Sequence, residues 1–170
     1  VPVYEKDGQV LYESGILCDF FEEVYGNGEL YPKDPYQKAK AKILMDSATK
    51  VTGPYYKLLF GKPDESKKKE AIEDLQKYLK TLEERLENKF FAGSSVGMVD
   101  YYLWPHIERM AGLGMAVEAD LMPKDKFPKL SAWISEKTTP GVKATMFSDE
   151  HHKIFVESVK NGKANFDYGL

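Results

Sequence analysis

Apolar and polar residues alternate only at the start of the chain, and after that the apolar positions recur every three or four residues almost to the end. Val1-Pro2-Val3-Tyr4-Glu5 and Gln9-Val10-Leu11-Tyr12 read as two strands, with Asp7-Gly8 as the hairpin turn between them. A helix is expected at once, over about 14–25, where Ile16, Leu17, Phe20, Phe21 and Val24 fall at helical spacing. The stretch Gly26-Asn27-Gly28-Glu29-Leu30-Tyr31-Pro32-Lys33 has the composition of a linker. Asp34 should cap the next helix, with Pro35 at its first position. That helix runs past Ile43, Leu44 and Ala48, and Pro54 is expected to kink or divide it before Gly61.

The clearest periodicity lies over 68–88. Ile72, Leu75, Leu79, Leu82 and Leu86 form one stripe, and Lys, Glu and Gln occupy the other faces. The stripe spans fewer heptads than a coiled coil needs, so it is read as one wall of a bundle, opened by a solvated Lys67-Lys68-Lys69 turn. Further helices are expected over 97–113, 129–138, 140–147 and 149–161, with Pro105 bending the first of them. The expected fold is mainly α: a β-hairpin and helix, a linker, and an all-helical bundle of five or six helices. An isolated hairpin is marginal in water. Together with the lack of an initiator Met, this suggests that the two strands are half of a sheet whose other strands precede Val1.

Composition narrows the class. With 24 basic and 27 acidic residues interspersed, the net charge of −3 leaves no basic footprint for nucleic acid or anionic lipid. No apolar run is long enough to cross a bilayer, and no secretory signal pattern appears. The single cysteine, Cys18, excludes an internal disulfide and fits a reducing, cytoplasmic setting. Cys18 has no His, Lys or second Cys within a helical turn to lower its pKa, so it reads as structural. His151 and His152 are neighbours that point about 100° apart on a helix; they cannot form the i, i+4 pair of zinc helices, and no metal site is expected.

Three segments resemble one family. Val1-Pro2-Val3 followed by Tyr12-Glu13-Ser14 before a helix is similar to the second half of a thioredoxin-like glutathione-binding domain. Phe91-Ala92-Gly93, Met98-Val99-Asp100-Tyr101-Tyr102 and Trp104-Pro105 resemble the central bundle helix of glutathione transferases, and Phe127-Pro128-Lys129-Leu130-Ser131-Ala132-Trp133 resembles a late helix of that fold. Trp104-Pro105 with Ile107-Glu108-Arg109, and the terminal Asp167-Tyr168-Gly169-Leu170, are similar to the omega class. The resemblance implies a division into the glutathione-binding half-domain (1–26), a linker (27–34) and the all-α C-terminal domain (35–170).

For the site, the resemblance implies that Val1 pairs by its backbone with glutathione and that Pro2, cis in the family, fixes the loop; otherwise Pro2 is simply a proline opening an edge strand. Glu13 and Ser14 would take the ammonium and carboxylate of the γ-glutamyl end at a helix N-terminus, or Ser14 merely caps that helix. His106, Arg109, His152 and Val159 fall where the omega class lines its second-substrate pocket. Three of those positions often carry large aromatics in the class, so here the pocket should be smaller and more polar. Family members usually place Ser or Thr three residues before Asp100 to make a capping box. Gly97 stands there instead, so Gly97 and Asp100 are expected to be structural, at a cost of a few tenths of a kcal/mol.

The implied activity is glutathione-dependent thiol transfer or dehydroascorbate reduction, on small electrophilic or disulfide substrates, with the reacting cysteine upstream of this chain. These 170 residues alone would then be inactive. The full-length protein is expected to be a homodimer. The alternative is a non-catalytic binding or structural protein on the same fold.

Overall fold

The computed structural model describes residues 2–61, 63–136 and 139–168. Strands β1 (Val3–Lys6) and β2 (Gln9–Tyr12) pair antiparallel with Tyr4 opposite Leu11. Asp7 and Gly8 both adopt positive φ, 53° and 75°, as a two-residue turn matched to strand twist requires. Helix α1 (Ser14–Val24) follows directly. It buries Leu17 but leaves Ile16, Phe21 and Val24 exposed, as are Val3, Val10 and Tyr12 of the hairpin. The apolar pattern of this segment therefore has one covered face and one uncovered face.

The linker is held rather than loose. The buried Glu22 carboxylate accepts the Leu30 N–H (2.9 Å), and the Leu30 carbonyl accepts the Met98 N–H (2.8 Å). Tyr31 is buried and donates to Asp19 (2.6 Å), which also pairs with Lys42 (2.6 Å). Burial first, then the Asp19 charge, drives the Tyr31 hydroxyl far above its ordinary pKa, so it acts purely as a donor. These bonds join α1 to α2 (Pro35–Ala48), which Asp34 caps by accepting from Gln37 N–H as expected.

Among the described residues the bundle holds more and shorter helices than the expected five or six. After α2 a 3-10 turn (Thr49–Val51) leads into α3 (Thr52–Phe60). The division thus precedes Pro54, whose missing N–H is harmless in the first turn of a new helix. Helix α4 (Glu65–Arg85) starts earlier than its leucine stripe because Asp64 caps it, accepting from Lys67 N–H. Leu75, Leu79, Leu82 and Leu86 are fully buried in the core, where α4 packs on α3, and two helices follow, α5 (Met98–Ile107) and α6 (Met110–Val117). Those two helices replace the single one expected over 97–113, since α5 ends two residues after Pro105. Next come α7 (Pro128–Ser135), α8 (Pro140–Thr145) and α9 (Asp149–Lys160). The C-terminal ends expected for the 129–138 helix (137–138) and for the terminal motif (Gly169 and Leu170) lie outside the described residues. Each fully buried leucine contributes roughly 1.5–3 kcal/mol, so the leucine face of α4 is a large source of stability. No helix among the described residues is long and apolar enough to cross a membrane.

Candidate functional site

Val1 lies outside the described residues, and Pro2 is exposed just ahead of β1. Glu13 and Ser14 are both exposed, where β2 hands over to α1. Glu13 is the N-cap residue, held at φ 75°, a conformation that L residues other than Asn and Asp rarely adopt. No side chain caps α1, and no acidic residue stands in its first turn. Ser14 is therefore not the cap that one sequence reading allowed. The backbone turn aims the first N–H groups, the Ser14 hydroxyl and the Glu13 carboxylate towards solvent at the positive end of the helix dipole. Such an end takes a carboxylate readily, and an adjacent carboxylate can take an ammonium.

This helix start sits against α5. A Cβ on Gly15 would lie 3.9 Å from the Tyr102 ring, and Tyr102 stacks at 5.9 Å on His106. His106 opens onto a cleft that it shares with Arg109, Pro105, Tyr55, Tyr56 and Val51. Tyr102, Tyr55 and Tyr56 were not legible as site residues. Helical spacing reads them as ordinary aromatics of α3 and α5, and only the packing brings them beside His106.

His106 and Arg109 are thus brought together, whereas His152 and Val159 are placed on α9. His152 is only 9 % exposed, lies beneath α6, and holds Nε2 3.8 Å from a Glu108 carboxylate oxygen, too far for a hydrogen bond. Glu108 also accepts from the Trp104 indole N–H (2.9 Å). Burial, then the Arg109 charge, depresses the His152 pKa to about 4, outweighing the Asp149 carboxylate. Burial and Arg109 also lower that of His106, while burial raises that of Tyr55. At neutral pH both imidazoles and the phenol are uncharged. Val159 is partly buried against the core.

Cys18 is half-buried on α1. Burial first, then the Asp19 charge, pushes its thiol up, the opposite of what a reacting thiolate requires. Asp100 has a different task. It is 3 % exposed, and its two oxygens accept from the N–H groups of Phe91 (2.9 Å), Ala92 (3.3 Å) and Gly97 (3.0 Å) and from the Trp133 indole (2.9 Å). Gly97 has no side chain to return the bond, so only half of a capping box exists. Sequence reasoning treated that glycine as a small loss. The packing gives it a reason: a Cβ there would stand 2.5 Å from the Ala92 Cβ and 3.0 Å from the Leu30 carbonyl oxygen.

Comparison with known proteins bears on the family and the fold. Residues 33–138 match the family model for the glutathione S-transferase C-terminal domain. The chain is 34% identical to glutathione S-transferase omega-1 of Sus scrofa over 176 aligned residues, spanning 100% of this chain and 70% of that protein. The crystal structure of glutathione transferase Omega 3C from Trametes versicolor superposes with TM-score 0.78 at 25% identity, covering 96% of this chain and 71% of that one. A rice glutathione transferase solved in complex with glutathione has the same fold, with TM-score 0.83 at 22% identity over 95% of this chain and 76% of its own.

Proposed function

Since the chain belongs to the omega-class glutathione transferases, we propose that it serves as a glutathione-dependent thiol transferase and dehydroascorbate reductase. The observation that carries this reading is the uncapped, acid-free start of α1, with Glu13 held at positive φ beside Ser14. The γ-glutamyl end of glutathione bears an ammonium and a carboxylate on one carbon, and Glu13, Ser14 and the helix N–H groups offer the complementary set. In this reading residues 1–26 belong to a thioredoxin-like half-domain in which Val1 and Pro2 flank the cysteinyl part, followed by the linker 27–34 and the helical domain 35–170. The full-length protein is a cytoplasmic homodimer.

The chemistry is two thiol–disulfide exchanges. A thiolate on the protein attacks the glutathione sulfur of a mixed disulfide G–S–S–R. A protein–glutathione disulfide forms, the bond to R breaks, and RS⁻ leaves to take up a proton. The thiolate of a second glutathione then attacks the bound glutathione sulfur, releasing oxidised glutathione and the protein thiolate. The net change is GSSR + GSH giving GSSG + RSH. With dehydroascorbate the protein thiol and one glutathione are oxidised to the protein–glutathione disulfide, supplying two electrons while the carbonyl compound takes two protons. A second glutathione then releases oxidised glutathione, so that dehydroascorbate and two GSH give ascorbate and GSSG. We assign the reacting thiol to a cysteine preceding this chain, because the Cys18 thiol is half-buried and its pKa is raised.

The test is turnover of a glutathione mixed disulfide, followed by the loss of NADPH coupled through glutathione reductase. The 170 residues alone are expected to be inactive, and the protein carrying its preceding cysteine to be active and insensitive to Cys18→Ser. Turnover by the 170 residues that disappears with Cys18→Ser would contradict the assignment and make Cys18 the nucleophile.

A further inference from the structure

We infer that the cleft beside Tyr102 selects acceptors bearing an anionic head group of carboxylate size, with Arg109 as the residue that sets this preference. The inference rests on reading this cleft as the acceptor side of the glutathione site, and names the substrate class that such a site would take.

The cleft is walled by Val51, Pro105, Met110 and the rings of Tyr55 and Tyr56, and its other polar members are His106, Arg109 and Thr52, whose hydroxyl donates to the Thr49 carbonyl. Arg109 is exposed and forms no ion pair among the described residues. The Tyr55 residue is buried, and besides burial only Arg109 and Tyr56 act on its hydroxyl. Only burial and Arg109 act on His106. No carboxylate is among those influences. Glu108, the nearest acid in sequence, does not line the cleft; it accepts from the Trp104 indole and faces His152. Near neutral pH the cleft thus offers one guanidinium charge and several uncharged groups able to donate, the Tyr55 phenol and the His106 imidazole among them. That donor set suits a planar anion and disfavours a cation; a neutral amide can accept from the same donors but without the attraction between opposite charges. The cleft's volume of about 40 Å³ admits a head group rather than a whole ring. The body of the acceptor would lie outside, over Tyr56, whose ring is half-exposed beside Phe60.

Arg109 is a specificity residue here, and it can be tested without turnover. The probes are benzoate and its neutral isostere benzamide, titrated into the protein by NMR at low salt, without glutathione. Wild type should bind benzoate about tenfold more tightly than benzamide, the factor expected of one charge-assisted hydrogen bond at a partly exposed site. Arg109→Gln should abolish that difference and leave benzamide binding unchanged, whereas Arg109→Lys should keep part of it. Equal affinity for the two probes in wild type, no saturable benzoate binding, or a preference that survives R109Q would overturn the inference. A benzoate preference that depends on Arg109 in a protein that fails to bind glutathione would uphold the anion site while removing the glutathione reading.

Discussion

At the scale of single residues, the sequence exposed Asp100 as structural but not how much rests on it. Four donors from three segments converge on its carboxylate, including a buried indole and the N–H of Gly97. Asp100→Ala leaves those donors unpaired in a dry interior and should cost about 3–5 kcal/mol, read as a lower urea midpoint. The Gly97 reading changes sign. From sequence, serine there would add a cap; from the packing, its Cβ meets Ala92 at 2.5 Å, so Gly97→Ser should destabilise by about 1–3 kcal/mol in the same measurement. No sequence pattern could reveal this, since Ala92 and Gly97 meet only through the turn that Asp100 ties down. His152 supplies a pH signature. The unfolded chain protonates this group near 6.5, the fold only near about 4, so the unfolded state binds more protons between those values. Its contribution to stability is complete above about pH 6.5 and is lost as pH falls towards 4. His152→Leu removes the titration, and its urea midpoint should fall less than that of wild type between about pH 7 and about pH 4.5. An identical fall in both would contradict this.

Among the elements, the ones best written in the sequence carry their own caps. Asp34 with Pro35 starts α2 with a local side-chain bond that the sequence announced. Asp64, Thr139 and Ser148 start α4, α8 and α9 in the same short-range way, although the sequence reading did not single them out. Helix α7 is different. Its two first free N–H groups, from Lys129 and Leu130, donate to the Glu83 carboxylate of α4 at 2.9 and 2.8 Å. A cap supplied from so far along the chain cannot be read locally. Glu83→Ala should therefore loosen α7 by about 1 kcal/mol, visible as faster amide exchange at Lys129 and Leu130 while α4 keeps its protection. Unchanged exchange at those two amides would remove Glu83 from that role. The division of the α5–α6 segment was likewise only half legible. Pro105 announced a bend, but a separate helix depends on close approach to α9. There a Cβ on Gly112 would overlap that of His152 and stand 2.7 Å from the Asp149 carbonyl oxygen.

For the whole molecule, the order of hairpin, helix, linker and helical bundle was readable from the switch between a period of two and a period of 3.6. The site was readable only in part. Glu13 and Ser14 stand out because a strand meets a helix there, whereas the Tyr55–Tyr56–His106–Arg109 cleft forms only once α3 packs against α5. Tyr102 couples the two regions, with Gly15 on one side and His106 on the other. The central claim is that the start of α1 grips the γ-glutamyl end of glutathione. Calorimetric titration of glutathione into the protein and its Ser14→Ala variant, with cysteinylglycine as the ligand lacking that end, tests it most directly. The account predicts that Ser14→Ala weakens glutathione about tenfold, the cost of one charge-assisted bond, and that cysteinylglycine binds far more weakly than glutathione to wild type. Equal affinities for glutathione in the two proteins, together with equal binding of the two ligands by wild type, would contradict it.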